Sequence, residues 1–175
     1  MNISKNILTV AILAAVSSTA FAAEKGNEVS VYGSIINQTS PGPSSTTTIV
    51  NASYGRYFTE RLALIGNVTV LNAGSAKATT LGVGAKYYFK SGQKGDFVPF
   101  VAGSLNVGTM DFGGGSGTTI GIRAGGGASY FVSETASIDA RLELVAGSQY
   151  VTVGGFSSTN SMSSTEFTVG ITQRF

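Results

Sequence analysis

The sequence predicts an all-β chain: an eight-stranded, antiparallel, up-and-down transmembrane β-barrel. Three observations predict it. Charged residues make up 11% of the chain, well under the share of about 25% that dresses an ordinary soluble domain. Glycine is abundant, 24 residues against 3 prolines, and hydrophobic residues reach 42%, too many for a disordered chain. Beyond an N-terminal leader, runs of about ten residues alternate apolar with small or polar side chains, as strands with two unlike faces do.

The leader comes first. Lys5 supplies a short positive region, Ile7 to Val16 an apolar core, and Ala20-Phe21-Ala22 a small-residue cleavage site, the pattern of a secretory signal peptide. Its apolar run falls short of the ~20 residues a helix needs to cross a bilayer. We expect residues 1–23 to be removed and 24–175 to form one barrel domain. The chain has no Cys, so neither a lipid-anchored N-terminus nor a disulfide framework is expected. Apart from Lys5, ten Lys and Arg face nine Asp and Glu, and no basic patch with interleaved aromatics suggests nucleic acid.

The elements follow in order. The first strand, Asn27–Gln38, runs into a Ser/Thr/Gly-rich connection at Thr39 to Thr46, and the second, Thr47–Phe58, turns at Phe58-Thr59-Glu60-Arg61. The third, Leu62–Leu71, meets Asn72 to Lys77. The fourth, Ala78–Lys90, places Leu81, Val83, Ala85, Tyr87 and Phe89 on one face and Gly82, Gly84, Lys86, Tyr88 and Lys90 on the other. The charged turn Ser91 to Asp96 leads to the fifth strand, Phe97–Thr109, and the glycine-rich Met110 to Gly117 follows. The sixth, Thr118–Phe131, sorts Ile120, Ile122, Ala124 and Ala128 against Gly121, Arg123, Gly125 and Gly127. After Val132-Ser133-Glu134, the seventh, Thr135–Gln149, sorts Ile138, Ala140, Leu142 and Leu144 against Asp139, Arg141, Glu143 and Val145. The last connection, Tyr150 to Ser163, precedes Ser164–Phe175, where Phe167, Val169, Ile171 and Phe175 oppose Glu166, Thr168, Gly170, Thr172 and Arg174. Each run suits a tilted membrane strand of about 9–11 residues. Connections after even strands read as short turns and those after odd strands as mostly longer loops, as outer-membrane barrels have.

Charge keeps to one face of these strands. Lys86, Arg123 and Arg141 turned toward lipid would each cost roughly 2–4 kcal/mol near the bilayer midplane, a sum comparable with the stability of a whole fold. They must point inward. A soluble barrel would instead turn its charged face to water, and Lys86, Arg123, Asp139, Arg141, Glu143 and Arg174 are too few to dress one. An eight-stranded lumen is just wide enough to be filled by side chains, and buried ions must pair. Four bases (Lys86, Arg123, Arg141, Arg174) and three acids (Asp139, Glu143, Glu166) are therefore expected to form an ionic network that plugs it. Tyr54, Tyr57, Phe58, Tyr87, Phe89, Phe97, Tyr130 and Phe131 are expected to make an aromatic girdle at the short-turn end, with a thinner one from Phe112, Tyr150 and Phe156.

The leader, the glycine-rich strands, the segment Gly55-Arg56-Tyr57-Phe58-Thr59-Glu60-Arg61-Leu62-Ala63-Leu64 and the closing Phe167-Thr168-Val169-Gly170-Ile171-Thr172-Gln173-Arg174-Phe175 together resemble the small OmpA/OmpX-type outer-membrane β-barrel domain family. The resemblance covers the chain beyond the leader. It implies residence in the outer membrane of a Gram-negative cell envelope, contact with lipid and lipopolysaccharide, and assembly by the barrel-assembly machinery. It also implies that Phe167, Val169, Ile171 and Phe175 form the signal that machinery reads; Gln173 departs from the pattern, in which an apolar or aromatic residue is usual.

Catalysis is not expected. The chain has no His and no Cys, which removes His-dependent hydrolysis, Cys nucleophiles and the usual His/Cys metal sets. Asp139 and Glu143 share a face but stand about 13 Å apart at ~3.3 Å per residue, too far for a glycosidase pair. No cofactor is expected. Two roles stay open: a non-enzymatic structural or surface-interaction protein that meets an extracellular ligand through its loops, chiefly Tyr150 to Ser163, or a small porin-like channel for ions or small solutes.

Overall fold

The computed structural model describes residues 26–38, 45–112 and 114–175. The leader over 1–23 and most of the expected loop from Thr39 to Thr46 lie outside them. Eight strands run in chain order: β1 (Asn27–Gln38), β2 (Ser45–Tyr57), β3 (Leu62–Ala73), β4 (Ala76–Tyr88), β5 (Phe97–Phe112), β6 (Gly115–Phe131), β7 (Ala136–Val153) and β8 (Phe156–Arg174). Each pairs antiparallel with the next, and β1 pairs with β8, so the sheet closes into a barrel.

The register fixes the barrel's dimensions. From Gly33, partners lead round the sheet through Val50, Val70, Thr79, Thr109, Thr118 and Tyr150 to Thr159. The direct β1–β8 ladder pairs Gly33 with Val169 instead. The ten-residue offset between Thr159 and Val169 is the shear. With strands ~4.8 Å apart and a rise of ~3.3 Å per residue, it tilts the strands by about 40° and sets a backbone radius of about 8 Å.

Strand length climbs round the barrel, from 12 residues in β1 to 19 in β8. The end that carries Asn27 and Phe175, the terminal end of the described residues, stays level, because these two exchange backbone hydrogen bonds there at 3.0 Å. The added length accumulates at the opposite rim, which rises toward the β7–β8 hairpin. Among the described residues, β8 from Phe156 to Thr168 has β7 as its one ladder neighbour.

Two expectations are corrected here. Met110 to Gly117 and Tyr150 to Ser163 are not loops: β5 and β6 pair up to Phe112 and Gly115, and β7 and β8 up to Val153 and Phe156. The β7–β8 tip is a two-residue turn, with Gly154 and Gly155 at φ of 56° and 85°, a left-handed conformation that glycine adopts without a Cβ penalty. Asn72 to Lys77 likewise tightens to Gly74-Ser75 between β3 and β4. The described connections at the terminal end are the longer ones, at 58–61, 89–96 and 132–135. Among the described connections the length contrast is thus the reverse of the expected one; what distinguishes the far rim there is extended strand.

The second correction concerns the girdle. Tyr54, Phe58, Tyr87, Phe89, Phe97 and Tyr130 stand outward and exposed near the terminal end, as expected. Tyr57 and Phe131 do not join them. Phe131 packs in the lumen with Tyr88, Val98 and Phe100, with Tyr57 against them. Parity decides this: Tyr57 shares the face of inward Gly55, and Phe131 that of inward Ser129.

Candidate functional site

Among the described residues, the ionisable side chains of five strands converge in the lumen. Strand alternation delivers them: Asp139, Arg141 and Glu143 occupy successive inward positions of β7, while Ile138, Ala140, Leu142 and Leu144 face out. Lys86 comes inward from β4, Arg123 from β6, and Glu166 and Arg174 from β8. Their separate strands bring them into two layers.

The layer nearer the terminal end centres on Lys86. Its Nζ lies 3.5 Å from Glu28 Oε1 and 3.5 Å from Asp139 Oδ2, and 4.6 and 4.5 Å from the ring centroids of Tyr88 and Phe100. Asp139 accepts hydrogen bonds from Tyr32, Thr172 and Ser137 at 2.8, 2.6 and 2.7 Å. Glu28 Oε2 accepts from Tyr57 and Tyr88 at 2.5 and 3.0 Å. Arg174 sits over the rings of Tyr88 and Phe131 at 4.4 and 4.5 Å, with Glu28 Oε2 3.9 Å away.

The second layer centres on Arg123. Its Nη1 donates to Glu166 at 2.7 Å and to Glu143 at 3.3 Å. Arg141 Nε lies 3.2 Å from Glu143 and donates to Thr168 at 3.0 Å. The Arg141 guanidinium also stacks 3.8 Å above the Tyr32 ring, joining the layers. Beside them, Asn51 bonds Thr69 at 2.6 Å and Asn67 bonds Asn106 at 3.2 Å.

The seven residues singled out from the sequence are all brought into the lumen, and two of the missing parts are now visible. Glu28, 1% exposed, is the fourth acid, so four bases face four acids rather than three. Alternation over Glu28, Ser30 and Tyr32 against Val29 and Val31 was the available signal. The aromatic floor of Tyr57, Tyr88, Phe100 and Phe131 is the other. Inward glycines make room: a Cβ on Gly170 would overlap Val31 O and the Tyr32 ring, and one on Gly82 would overlap the Asn67 and Asn106 side chains.

The expected assembly-signal residues stand elsewhere. Phe167, Val169 and Ile171 face outward, each about half exposed or more, and Phe175 follows the end of β8. Outside the strands, Asp96 in the β4–β5 connection accepts from Lys90 at 3.1 Å and from the Gln93 N–H at 3.1 Å. The hydrogen bond from Lys90, then that from Gln93, holds its carboxyl below the usual carboxylate range.

The solved structures similar to this chain include two small barrels. Neisserial surface protein A shares 22% identity over 86% of this chain and 97% of its own, with a TM-score of 0.57. The N-terminal β-barrel domain of Pseudomonas aeruginosa OprF shares 15% identity over 87% of this chain and 98% of its own, with a TM-score of 0.63. Both likenesses are of fold. No protein-family model and no curated protein matches the sequence.

Proposed function

We propose that this chain, which has the closed eight-stranded architecture of the small OmpA/OmpX-type barrels, is a non-enzymatic integral protein of the outer membrane with a structural or surface-interaction role. One observation carries the reading, the sidedness of the wall. Leu81, Val83, Leu105, Ile122, Leu142 and Leu144 point outward, each more than half exposed. Lys86, Arg123, Asp139, Arg141, Glu143 and Glu166 point inward, each less than a tenth exposed. Water would make the first set an aggregating surface; acyl chains make it the favourable one, and closure of β1 on β8 gives every strand a neighbour on each side.

Lipid and lipopolysaccharide are then the obligate surroundings, and the barrel-assembly machinery the partner during biogenesis. The surface-interaction role falls on the raised wall built from β5 to β8. Its β8 margin from Phe156 to Thr165 carries neither charge nor proline and, among the described residues, has no ladder partner on the side away from β7, which leaves that side to an extended partner. The absence of His and Cys from the sequence supports a role without catalysis.

The channel reading requires an open path through the lumen. Ion pairs such as Arg123–Glu166 at 2.7 Å would have to part for it, which favours the plugged barrel. Gel mobility of the outer-membrane fraction, boiled and unboiled, tests the placement: a heat-dependent shift is expected, and recovery in the soluble periplasm with no shift overturns it. Planar-bilayer recording tests the plug: quiet traces are expected, and steady unitary conductance overturns it in favour of a channel.

A further inference from the structure

The outer wall is not uniform. A groove of about 770 Å³ begins at Tyr54 and Arg56 on β2 and crosses Gly66, Ala85 and Gly103 to Leu105 and Ile122. A second groove of about 760 Å³ shares Val83, Leu105 and Ile122 and carries it further up the wall. Its floor follows the register row from Arg56 through Leu64, Ala85 and Gly103 to Ala124, which the strand tilt sends obliquely away from the terminal end.

Two features set this groove apart from ordinary wall. Arg56 stands outward and exposed among the wall's apolar residues and makes no ion pair or hydrogen bond among the described residues. A bare cation in the acyl region costs roughly 2–4 kcal/mol, falling to about 0–1 at the interface, so Arg56 must reach headgroup level from its strand end beside Tyr54 and Phe58. The second feature is glycine where packing does not demand it. Inward glycines of this barrel would clash with a Cβ, but one on Gly66 would meet nothing within 4 Å and one on Gly103 would meet only Arg123 O, at 3.6 Å. Side chains are absent there, and the groove stays open.

We propose that this groove is a binding site for one phospholipid of the leaflet at the terminal end, an acyl chain lying over Gly66, Ala85 and Gly103 and its phosphate held by Arg56. A guanidinium matches a phosphate with two parallel hydrogen bonds, and an apolar trough ending in a single cation fits an amphiphile with one anionic head. An acidic peptide would satisfy Arg56 but would have to desolvate its backbone along the trough. The proposal rests on the membrane placement above.

Purified barrel, stripped of lipid in mild detergent, is incubated with phosphatidylglycerol, diacylglycerol or lipid A, and retained lipid is counted by native mass spectrometry. One phosphatidylglycerol per chain is expected. Arg56→Gln and loss of the phosphate (diacylglycerol) should each lower retention by about tenfold or more, as loss of a two-bonded guanidinium–phosphate pair requires. Gly103→Leu and Gly66→Leu, which fill the trough, should remove it. Lys77→Gln, at an outward cation of the opposite rim, should change nothing. Equal retention by Arg56→Gln and wild type, equal retention of diacylglycerol, or preference for lipid A overturns the site. A heat-modifiable gel shift verifies that each variant is folded. A folded barrel that enters vesicles and holds no phosphatidylglycerol sinks the groove alone, whereas failure to enter vesicles sinks the membrane placement.

Discussion

Glu28 Oε1 stands 3.5 Å from Lys86 Nζ with both side chains almost wholly buried, so the start of the first strand is tied across the lumen to the fourth. The second oxygen of Glu28 holds Tyr57 and Tyr88. Terminal strand, aromatic floor and central cation thus share one carboxylate.

Removing that carboxylate leaves Lys86 buried with Asp139 as its one remaining anion among the described residues. Breaking a buried ion pair from one side costs about 3–5 kcal/mol. Glu28→Ala is expected to lose that much, read as a lower urea midpoint for the heat-modifiable form, and Glu28→Leu/Lys86→Met to recover much of it. An unchanged midpoint in the single variant would show the pair to be idle.

Arg123 separates two acids that face each other directly, since Glu143 and Glu166 are register partners on β7 and β8. Like charges opposite one another repel, and Arg123 bonds both. Arg123→Ala should cost about 3–5 kcal/mol in the same unfolding assay, and adding Glu166→Gln should restore most of it. Failure of the second change to restore stability would mean that the lost packing of Arg123, not the bare acid pair, sets the cost.

Leu105 is 64% exposed on the outer face. If acyl chains cover it, Leu105→Arg costs roughly 2–4 kcal/mol near the midplane, whereas Leu105→Ala costs far less. Folding into phosphatidylcholine vesicles measures both. Equal folding of the two variants would contradict a lipid-facing wall.

Asp96 lies outside the wall, with its pKa lowered by Lys90 and by the Gln93 N–H. A carboxyl with a depressed folded-state value contributes stability above its ordinary range and loses it as pH falls through the lowered value. The pair is exposed, so the contribution is local. The Gln93 amide resonance should titrate with a midpoint below that of an unpaired Asp, and Lys90→Gln should move the midpoint up. A midpoint indifferent to Lys90 would assign the shift to the backbone bond.

The Phe175 ring is the last side chain of β8's end, while its backbone closes the barrel by bonds to Gly26 and Asn27. Phe175→Ala keeps those bonds. Less assembled barrel in cells with normal refolding in detergent is the outcome expected of an assembly signal. Equal loss in both assays would make the ring a packing residue.

Much of this was legible from alternation. Lys86 and Tyr88 against Val83 and Phe89, or Arg141 against Leu142, sort correctly because a strand's side-chain period of two needs no knowledge of the neighbouring strand. Tyr57 and Phe131 depart from the expected girdle because parity outweighs aromatic content: Tyr130 and Phe131 are adjacent and cannot both face outward. Phe156 to Ser163 reads as loop in the sequence because Ser and Asn, five of its eight residues, carry little preference for a strand. It is strand because β7 supplies a ladder partner for every one of those residues.

The sequence by itself determined the number of strands, the face each turns outward, and the inward direction of seven of the eight lumen ions described. The closed fold decided the rest: the ten-residue shear, the climb of the far rim, the pairing of Glu28 with Lys86, and the convergence of Arg56 with Gly66 and Gly103 on one trough. The division has a physical cause. Facing is set by neighbours along the chain, within two residues. Register and closure are set by hydrogen bonds between segments as far apart as Gly33 and Val169, and no local pattern encodes that distance.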